Sequence, residues 1–413
     1  VPEGVAVERV VIVGASLAGL RAAETLRQRE FGGDVVVVGA EPHRPYDRPP
    51  LSKKLLAGEW EPDRVHLRQP DTFDDLDVEW RFGSEAVGLD LAGHTLALAD
   101  GAELRYDGLL LATGAQPKRL PGQLDVANAH ELRTLDDALA LRAELAGGGR
   151  RVVVIGAGFI GLEAALTALA LGNEVIVLEG APAPLVRGLG PEMGTAIGEL
   201  HVRAGIDLRC GVTIDAVETG VVHAAGEAIP ADVILVGIGV APATAWLEGS
   251  GLQLRDGVVC DETLRAIDVD GGPVEGVYAA GDVARWPNRR FDEEMRVEHW
   301  TNAAEQGAQA AENMLAVAAG EPGVPYEPVP FVWSDQGALR IQLLGRPGPD
   351  DDVEVVAGSV DDAKFLALYS RDGRLRGALG VNAPRWVMPM RQLLLDGAGV
   401  AEARSVAIER AIS

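Results

Sequence analysis

Short apolar runs alternate with small-residue turns along the first two-thirds of the chain. Val10–Val13, Leu109–Ala112 and Val152–Ile155 are unbroken apolar stretches that lead into glycine turns. Such runs predict strands buried on both faces, as in a parallel sheet, and fall far short of the ~20 apolar residues of a membrane span. Two longer stretches repeat one pattern: Glu8–Glu24 (ERVVIVGASLAGLRAAE) and Arg150–Leu166 (RRVVVIGAGFIGLEAAL). Each predicts a strand, a tight turn and an alanine-rich helix. A valine-rich strand then follows each, Asp34–Val38 and Glu174–Leu178. Tyr106–Ala115, Ala231–Gly239 and Gly276–Asp282 read as further buried strands ending in glycine turns, the last carrying a carboxylate.

From Phe331 the pattern changes. Leu339–Leu344, Val353–Ala357, Lys364–Tyr369 and Arg374–Val381 predict strands separated by Gly, Pro and Asp turns, and Arg385–Leu395 and Ala401–Ala411 predict short helices. The expected fold class is therefore α/β, with two Rossmann-type dinucleotide-binding domains, one inserted in the other, and a C-terminal α+β domain with an antiparallel sheet. The expected boundaries are 1–118 and 247–328 for a discontinuous first domain, 119–246 for the second and 329–413 for the third.

The repeated turns suit a dinucleotide. In the second, Gly156, Gly158 and Gly161 complete G-x-G-x-x-G. The first glycine makes the turn, the second lets backbone approach the pyrophosphate, and the third lets helix and strand pack closely. Pyrophosphate then meets the helix N-terminus, where N–H groups and the dipole favour anions. Glu179 ends the next strand, 179 − 156 = 23 residues on. A carboxylate there binds ribose hydroxyls and repels a 2′-phosphate, which favours NADH over NADPH; Arg187 nearby pulls the other way. The first turn, Gly14-Ala15-Ser16-Leu17-Ala18-Gly19, has serine at the second glycine position. Gly39 aligns with Glu179, so Glu41, two residues later, is the expected ribose carboxylate. The prolines of Arg44–Lys53 (RPYDRPPLSK) fix a rigid loop that can hold Arg48 and Lys53 against a ligand, or else display solvated charges.

Composition removes other classes. With 62 acidic against 37 basic residues the net charge is −25, unsuited to nucleic-acid phosphates or anionic lipid. The two cysteines, Cys210 and Cys260, make neither a disulfide framework nor a metal cluster, and no metal is expected. The first strand begins almost at once, leaving no room for a signal peptide; the expected location is cytoplasmic.

Six segments in order, Arg48–Lys53 (RPPLSK), Leu111–Gly114 (LATG), Gly156–Glu163, Ala280–Val283 (AGDV), Trp300–Glu305 (WTNAAE) and Phe331–Gln336 (FVWSDQ), carry a resemblance over essentially the whole chain. Together they resemble the putidaredoxin-reductase-like family, FAD-dependent NAD(P)H:ferredoxin reductases that serve bacterial cytochrome P450s and ring-hydroxylating dioxygenases. The resemblance implies FAD on Gly14, Ser16, Gly19, Glu41, Arg48, Thr113, Gly114, Arg133, Asp282 and Trp300. It implies NADH on Gly156, Gly158, Phe159, Ile160, Gly161, Glu179 and Gly239. Asp282 would accept a hydrogen bond from the ribityl chain, and the helix beginning near Trp300 would aim its positive end at the flavin N1/O2 edge. Lys53 would sit by flavin N5 and Glu163 near the nicotinamide, as a pair that makes burial of either charge less costly. Trp333 would pack by the isoalloxazine, or else be an ordinary core tryptophan.

No cysteine precedes Cys210, so a redox-active thiol beside the flavin is excluded and the electrons must leave for an external carrier. FAD accepts a hydride as a pair and can release electrons singly. The expected acceptor is an iron–sulfur ferredoxin, [2Fe–2S] in type, and the expected assembly is a monomer or homodimer. Arg285, Arg289, Arg290 and Arg296 form a local basic cluster that could meet an acidic ferredoxin, or could neutralise its own neighbouring carboxylates. A rubredoxin reductase, and an apoptosis-inducing-factor-like redox-responsive flavoprotein, are the alternatives.

Overall fold

The computed structural model describes residues 7–412. Backbone contacts divide the chain into two compact units. The first comprises Val1–Asp47, described from Val7, with His66–Gln116 and Ala241–Pro330. The second comprises Arg48–Val65, Pro117–Val240 and Phe331–Ser413, described to Ile412. The segment 48–65 thus clusters with the second unit, although the sequence suggested the first domain. The turn after strand Val233–Val236 returns the chain to the first unit at Ala241.

In the first unit the apolar runs become the centre of a six-stranded sheet. Its order is Arg265–Ile267, Pro273–Ala279, Gly108–Leu111, Arg9–Val13, Asp34–Gly39, Glu79–Phe82. All neighbours are parallel except the first pair. Val10, Val11, Ile12 and Val13 are buried, as are Leu109, Leu110 and Leu111. Each such side chain stabilises the fold by about 1.5–3 kcal/mol on burial, which explains the unbroken apolar runs. The helices Leu17–Gln28 and Trp300–Ala318 pack closely: a Cβ on Gly307 would lie 2.2 Å from the Ala18 carbonyl oxygen. This unit also holds an antiparallel three-stranded meander, Ala86–Asp90, Thr95–Leu98 and Glu103–Arg105, and a small sheet of Val258–Val259, Ala284–Asn288 and Glu293–Met295.

The second unit holds an all-parallel five-stranded sheet. Its order is Asp207–Cys210, Glu174–Glu179, Arg151–Ile155, Val233–Val236, Ala129–His130. It also has a meander of its own, Ile214–Glu218, Val221–Ala224 and Glu227–Pro230. The chain from Phe331 forms a five-stranded antiparallel sheet ordered Phe331–Gln336, Leu339–Gly345, Arg374–Val381, Lys364–Arg371, Asp352–Ser359. The expected helix Arg385–Leu395 is instead two short helices, Pro384–Val387 and Met390–Leu395. Pro389 separates them, because it lacks the N–H that a continuous helix needs. The last helix is Val400–Ile412. No described helix is long and apolar enough to cross a membrane.

Candidate active site

The two glycine turns fold alike because the same close approaches force them. Gly14 has φ +123° and a Cβ there would stand 2.1 Å from the Ala112 carbonyl oxygen; at Gly156 φ is +104° and the clash is with Gly237, at 2.3 Å. Gly19 and Gly161 face the carbonyls of Gly14 and Gly156, with Cβ distances of 2.0 and 2.2 Å. The middle position differs: Gly158 has φ −77°, and a Cβ there would meet nothing within 4 Å. It faces open space, so Ser16 fits the first turn without strain, its own φ being −118°.

Both fingerprint helices, Leu17–Gln28 and Phe159–Ala170, begin without a side-chain cap and without an acidic residue in the first turn. The helix Leu135–Leu145 instead closes its N-terminus with a capping box from Thr134 and Asp137. The uncapped N–H groups beside positions 16 and 158 therefore fit the pyrophosphate of a bound dinucleotide, one per turn.

In the first unit, Gly39 explains the displaced acid. A Cβ there would lie 2.6 Å from that of Ala15, so the strand end leaves no room for a carboxylate. Glu41 follows, half-buried, and accepts the Tyr46 hydroxyl. Thr113 and Gly114 continue the strand beside the Gly14 turn. Thr113 Oγ1 donates to the Ala243 carbonyl at 3.0 Å, and Gly114 takes φ +70°. Asp282 lies in the turn Gly281–Val283, whose Gly281 N–H donates to Gln306 Oε1 at 2.9 Å; Gln306 belongs to the helix Trp300–Ala318. That helix also starts without a side-chain cap or first-turn acid, and Trp300 Nε1 donates to Asp47 Oδ1 at 2.7 Å. Gly14, Ser16, Gly19, Glu41, Thr113, Gly114, Asp282 and Trp300 thus belong to one unit.

The second unit gathers the rest. Glu179 Oε2 accepts the Ala157 N–H at 2.7 Å, and Oε1 accepts the Ala181 N–H at 2.8 Å. Ile160, 43% exposed, and the half-buried Phe159 open the fingerprint helix. Gly239 has φ +98° and accepts the Lys118 N–H at 2.9 Å. Arg48 Nη1 donates to the Arg133 carbonyl at 2.5 Å, so these two expected ligands stand together. Trp333 is half-buried and stacks on Phe331, with ring centroids 6.0 Å apart.

Lys53 and Glu163 meet as expected. Lys53 Nζ lies 2.6 Å from Glu163 Oε2 and donates to the Pro49 carbonyl at 3.0 Å, which leaves one ammonium hydrogen for a ligand. The carboxylate also accepts the Ser52 hydroxyl on Oε2 and the Ser334 hydroxyl on Oε1, each at 2.5 Å. Gln336 Nε2 donates to Ser334 Oγ at 3.0 Å, and His201 Nε2 is 2.7 Å from Gln336 Oε1. Ser52, Ser334, Gln336 and His201 received no role from sequence. The legible signal lay in Phe331–Gln336, where Ser334 and Gln336 are two apart and so share one face of a strand.

Other groups divide differently. Cys260 is buried, which pushes its thiol well up, and Cys210 is half-buried and raised for the same reason. Neither has the depressed pKa of a reactive thiol. The basic cluster is neutralised locally: Arg285 pairs with Asp256 and Glu294, Arg289 with Glu262, and Arg296 with Asp256 and Glu298. Arg290 Nε donates to the Glu327 carbonyl. Of the two roles open to these arginines, the pairing of nearby carboxylates is the one the geometry displays. Among the described residues no group of three or more His, Cys, Asp or Glu side chains could hold a metal ion.

The family model described as pyridine nucleotide-disulphide oxidoreductase matches residues 8–307. The chain belongs to this family. A second model, the reductase C-terminal domain, matches residues 331–410. Family members similar to this chain include putidaredoxin reductase CamA of Pseudomonas putida, 33% identical over 94% of this chain and 92% of that one. The ferredoxin–NAD(+) reductase component of the anthranilate 1,2-dioxygenase system of Burkholderia cepacia is 34% identical over 94% of both. The crystal structure of the covalent putidaredoxin reductase–putidaredoxin complex superposes with a TM-score of 0.88 at 30% identity, covering 98% of this chain and 99% of that one. The family's two-dinucleotide architecture accounts for the paired fingerprints. Its disulphide chemistry, however, has no counterpart in a chain whose first cysteine is Cys210.

Proposed function

We propose that this oxidoreductase takes a hydride from NADH onto FAD and passes electrons singly to a [2Fe–2S] ferredoxin that serves a P450 or dioxygenase. The observation that carries the reading is the pair of uncapped glycine turns in a chain with no cysteine before Cys210. Two dinucleotides are bound, and no thiol stands in the first 209 residues to take the electrons. The relatives described above are reductases of ferredoxin systems, and they favour this reading over a rubredoxin reductase or an apoptosis-inducing-factor-like flavoprotein. Its need for NADH makes the cytoplasm its working compartment.

When bound, the flavin supplies the exchange between two-electron and one-electron chemistry. The chain's own residues do the rest. The Gly14 and Gly156 turns would hold the two pyrophosphates; Thr113, Gly114, Asp282, Arg48 and Arg133 would line FAD, and Trp333 would cover its ring. The N-terminus of Trp300–Ala318, which carries no side-chain cap, would favour negative charge on the bound flavin. Glu179 would hold the NADH ribose, and Phe159, Ile160 and Gly239 would line the same cofactor. Lys53 and Glu163 would orient the bound cofactors through fixed charge, with no general base required. Anaerobic stopped-flow reduction of the yellow holoprotein tests this: NADH should bleach the flavin, and NADPH at equal subsaturating concentration should do so at least tenfold more slowly, roughly 1.4 kcal/mol. Equally fast bleaching by NADPH would overturn the assignment of Glu179.

A further inference from the structure

Glu163 is the end of a buried hydrogen-bond chain whose direction chemistry fixes. The carboxylate can only accept, so Ser334 must give its hydroxyl hydrogen to Glu163 Oε1. Ser334 Oγ must then accept from Gln336, which puts the amide Nε2 on that side at 3.0 Å. The amide oxygen consequently faces His201 at 2.7 Å, and only an Nε2–H imidazole can satisfy it. One tautomer of His201 and one orientation of Gln336 are allowed; reversing any link sets donor against donor or lone pair against lone pair.

The chain ties separate elements to one carboxylate. Glu163 sits on the fingerprint helix, Ser334 and Gln336 on the first strand of the antiparallel sheet, and His201 in the last turn of the helix Val186–Arg203. On the other oxygen, Ser52 and Lys53 come from the proline loop. All these residues but Lys53 are buried, Ser334 and His201 completely.

Stability alone does not account for such a device. His201 Nδ1 is buried without a hydrogen-bond partner, which costs stability, and apolar residues of the same shape would avoid that cost. What the chain does supply is a single orientation for Glu163. We propose that Ser334, Gln336 and His201 are positioning residues that lock the Glu163 carboxylate, and through it the Lys53 ammonium, in the geometry hydride transfer requires. The inference rests on the role given above to Lys53 and Glu163.

The test is anaerobic stopped-flow reduction of the holoenzyme by NADH, resolved into limiting rate and NADH Kd. Ser334→Ala is expected to slow the limiting rate about tenfold with Kd within roughly twofold, a loss confined to the transition state. His201→Leu should slow it similarly. His201→Gln, which restores a donor toward Gln336, should recover most of the rate. The Ser334→Ala/His201→Leu pair should be no slower than Ser334→Ala alone, because both cut one chain. An unchanged rate in Ser334→Ala, a His201→Gln variant as slow as His201→Leu, or multiplicative losses in the pair would each overturn the proposal. If His201→Leu fails to retain flavin, Ser334→Ala decides by itself. Glu163→Gln separates the two levels: if it reduces normally, the role given to Glu163 fails, whereas a slow Glu163→Gln beside a normal Ser334→Ala overturns only the positioning chain.

Discussion

Glu179 Oε2 accepts the backbone N–H of Ala157 at 2.7 Å, so the acid ending the second strand is tied to the centre of the second glycine turn. The remaining lone pairs of the carboxylate can accept ribose hydroxyls, and its charge opposes a 2′-phosphate. Glu179→Gln should therefore narrow the preference for NADH over NADPH by roughly tenfold in kcat/KM, about 1.4 kcal/mol. Steady-state kinetics with both cofactors measure it. An unchanged ratio would place cofactor discrimination elsewhere.

The glycines of that turn are not equivalent. Gly156→Ala drives a Cβ to 2.3 Å from the Gly237 carbonyl at positive φ, and should cost about 2–4 kcal/mol of stability. Gly158→Ser enters open space and should change stability by less than about 0.5 kcal/mol. Chemical denaturation of both variants distinguishes conformational need from ligand need, and NADH affinity should fall in both.

Lys53 and Glu163 are 19% and 6% exposed at their side chains, so neither charge is easily left alone. Lys53→Met should destabilise the protein by about 3 kcal/mol, and Lys53→Met/Glu163→Leu by less, because the double change leaves no buried unpaired charge. The midpoint of urea unfolding reports both. A double variant weaker than the single would contradict the pairing.

Burial lowers the pKa of His201, against a smaller opposing effect from its hydrogen bond to Gln336. Below about pH 6.5 the unfolded chain takes up a proton that the folded chain resists. The stability supplied by the neutral imidazole is thus present above that pH and lost as pH falls through the folded pKa. His201→Gln should lack this part of the acid sensitivity, so its Tm should fall less than the wild type's between neutral and mildly acidic pH.

Local sequence determined some of these features and not others. The two strand–turn–helix units were legible because unbroken valine runs and glycine at fixed spacing have few other physical meanings. The C-terminal sheet was legible from its alternating turns; the break at Pro389 was missed, although a proline inside an apparent helix is its signal. Lys53 and Glu163, 110 residues apart, were brought together by resemblance and not by pattern. The Ser334–Gln336–His201 chain was illegible: Ser334 and Gln336 are polar yet buried while Asp335 between them is exposed, the reverse of what hydropathy alone suggests. Long-range packing decided which strand face met Glu163. The basic cluster was legible as charge, but only part of its pairing was, since Glu294 and Glu298 lie in or beside its segment while Asp256 and Glu262 lie outside it.

The account as a whole turns on where the electrons go. Holoprotein reduced anaerobically with one equivalent of NADH should be mixed in a stopped-flow instrument with an oxidised [2Fe–2S] ferredoxin from an oxygenase system. A hydride carries an electron pair, so the account predicts about two ferredoxins reduced per NADH as the flavin absorbance returns. Flavin that stays reduced beside oxidised ferredoxin, while a small disulfide restores its absorbance, would contradict it.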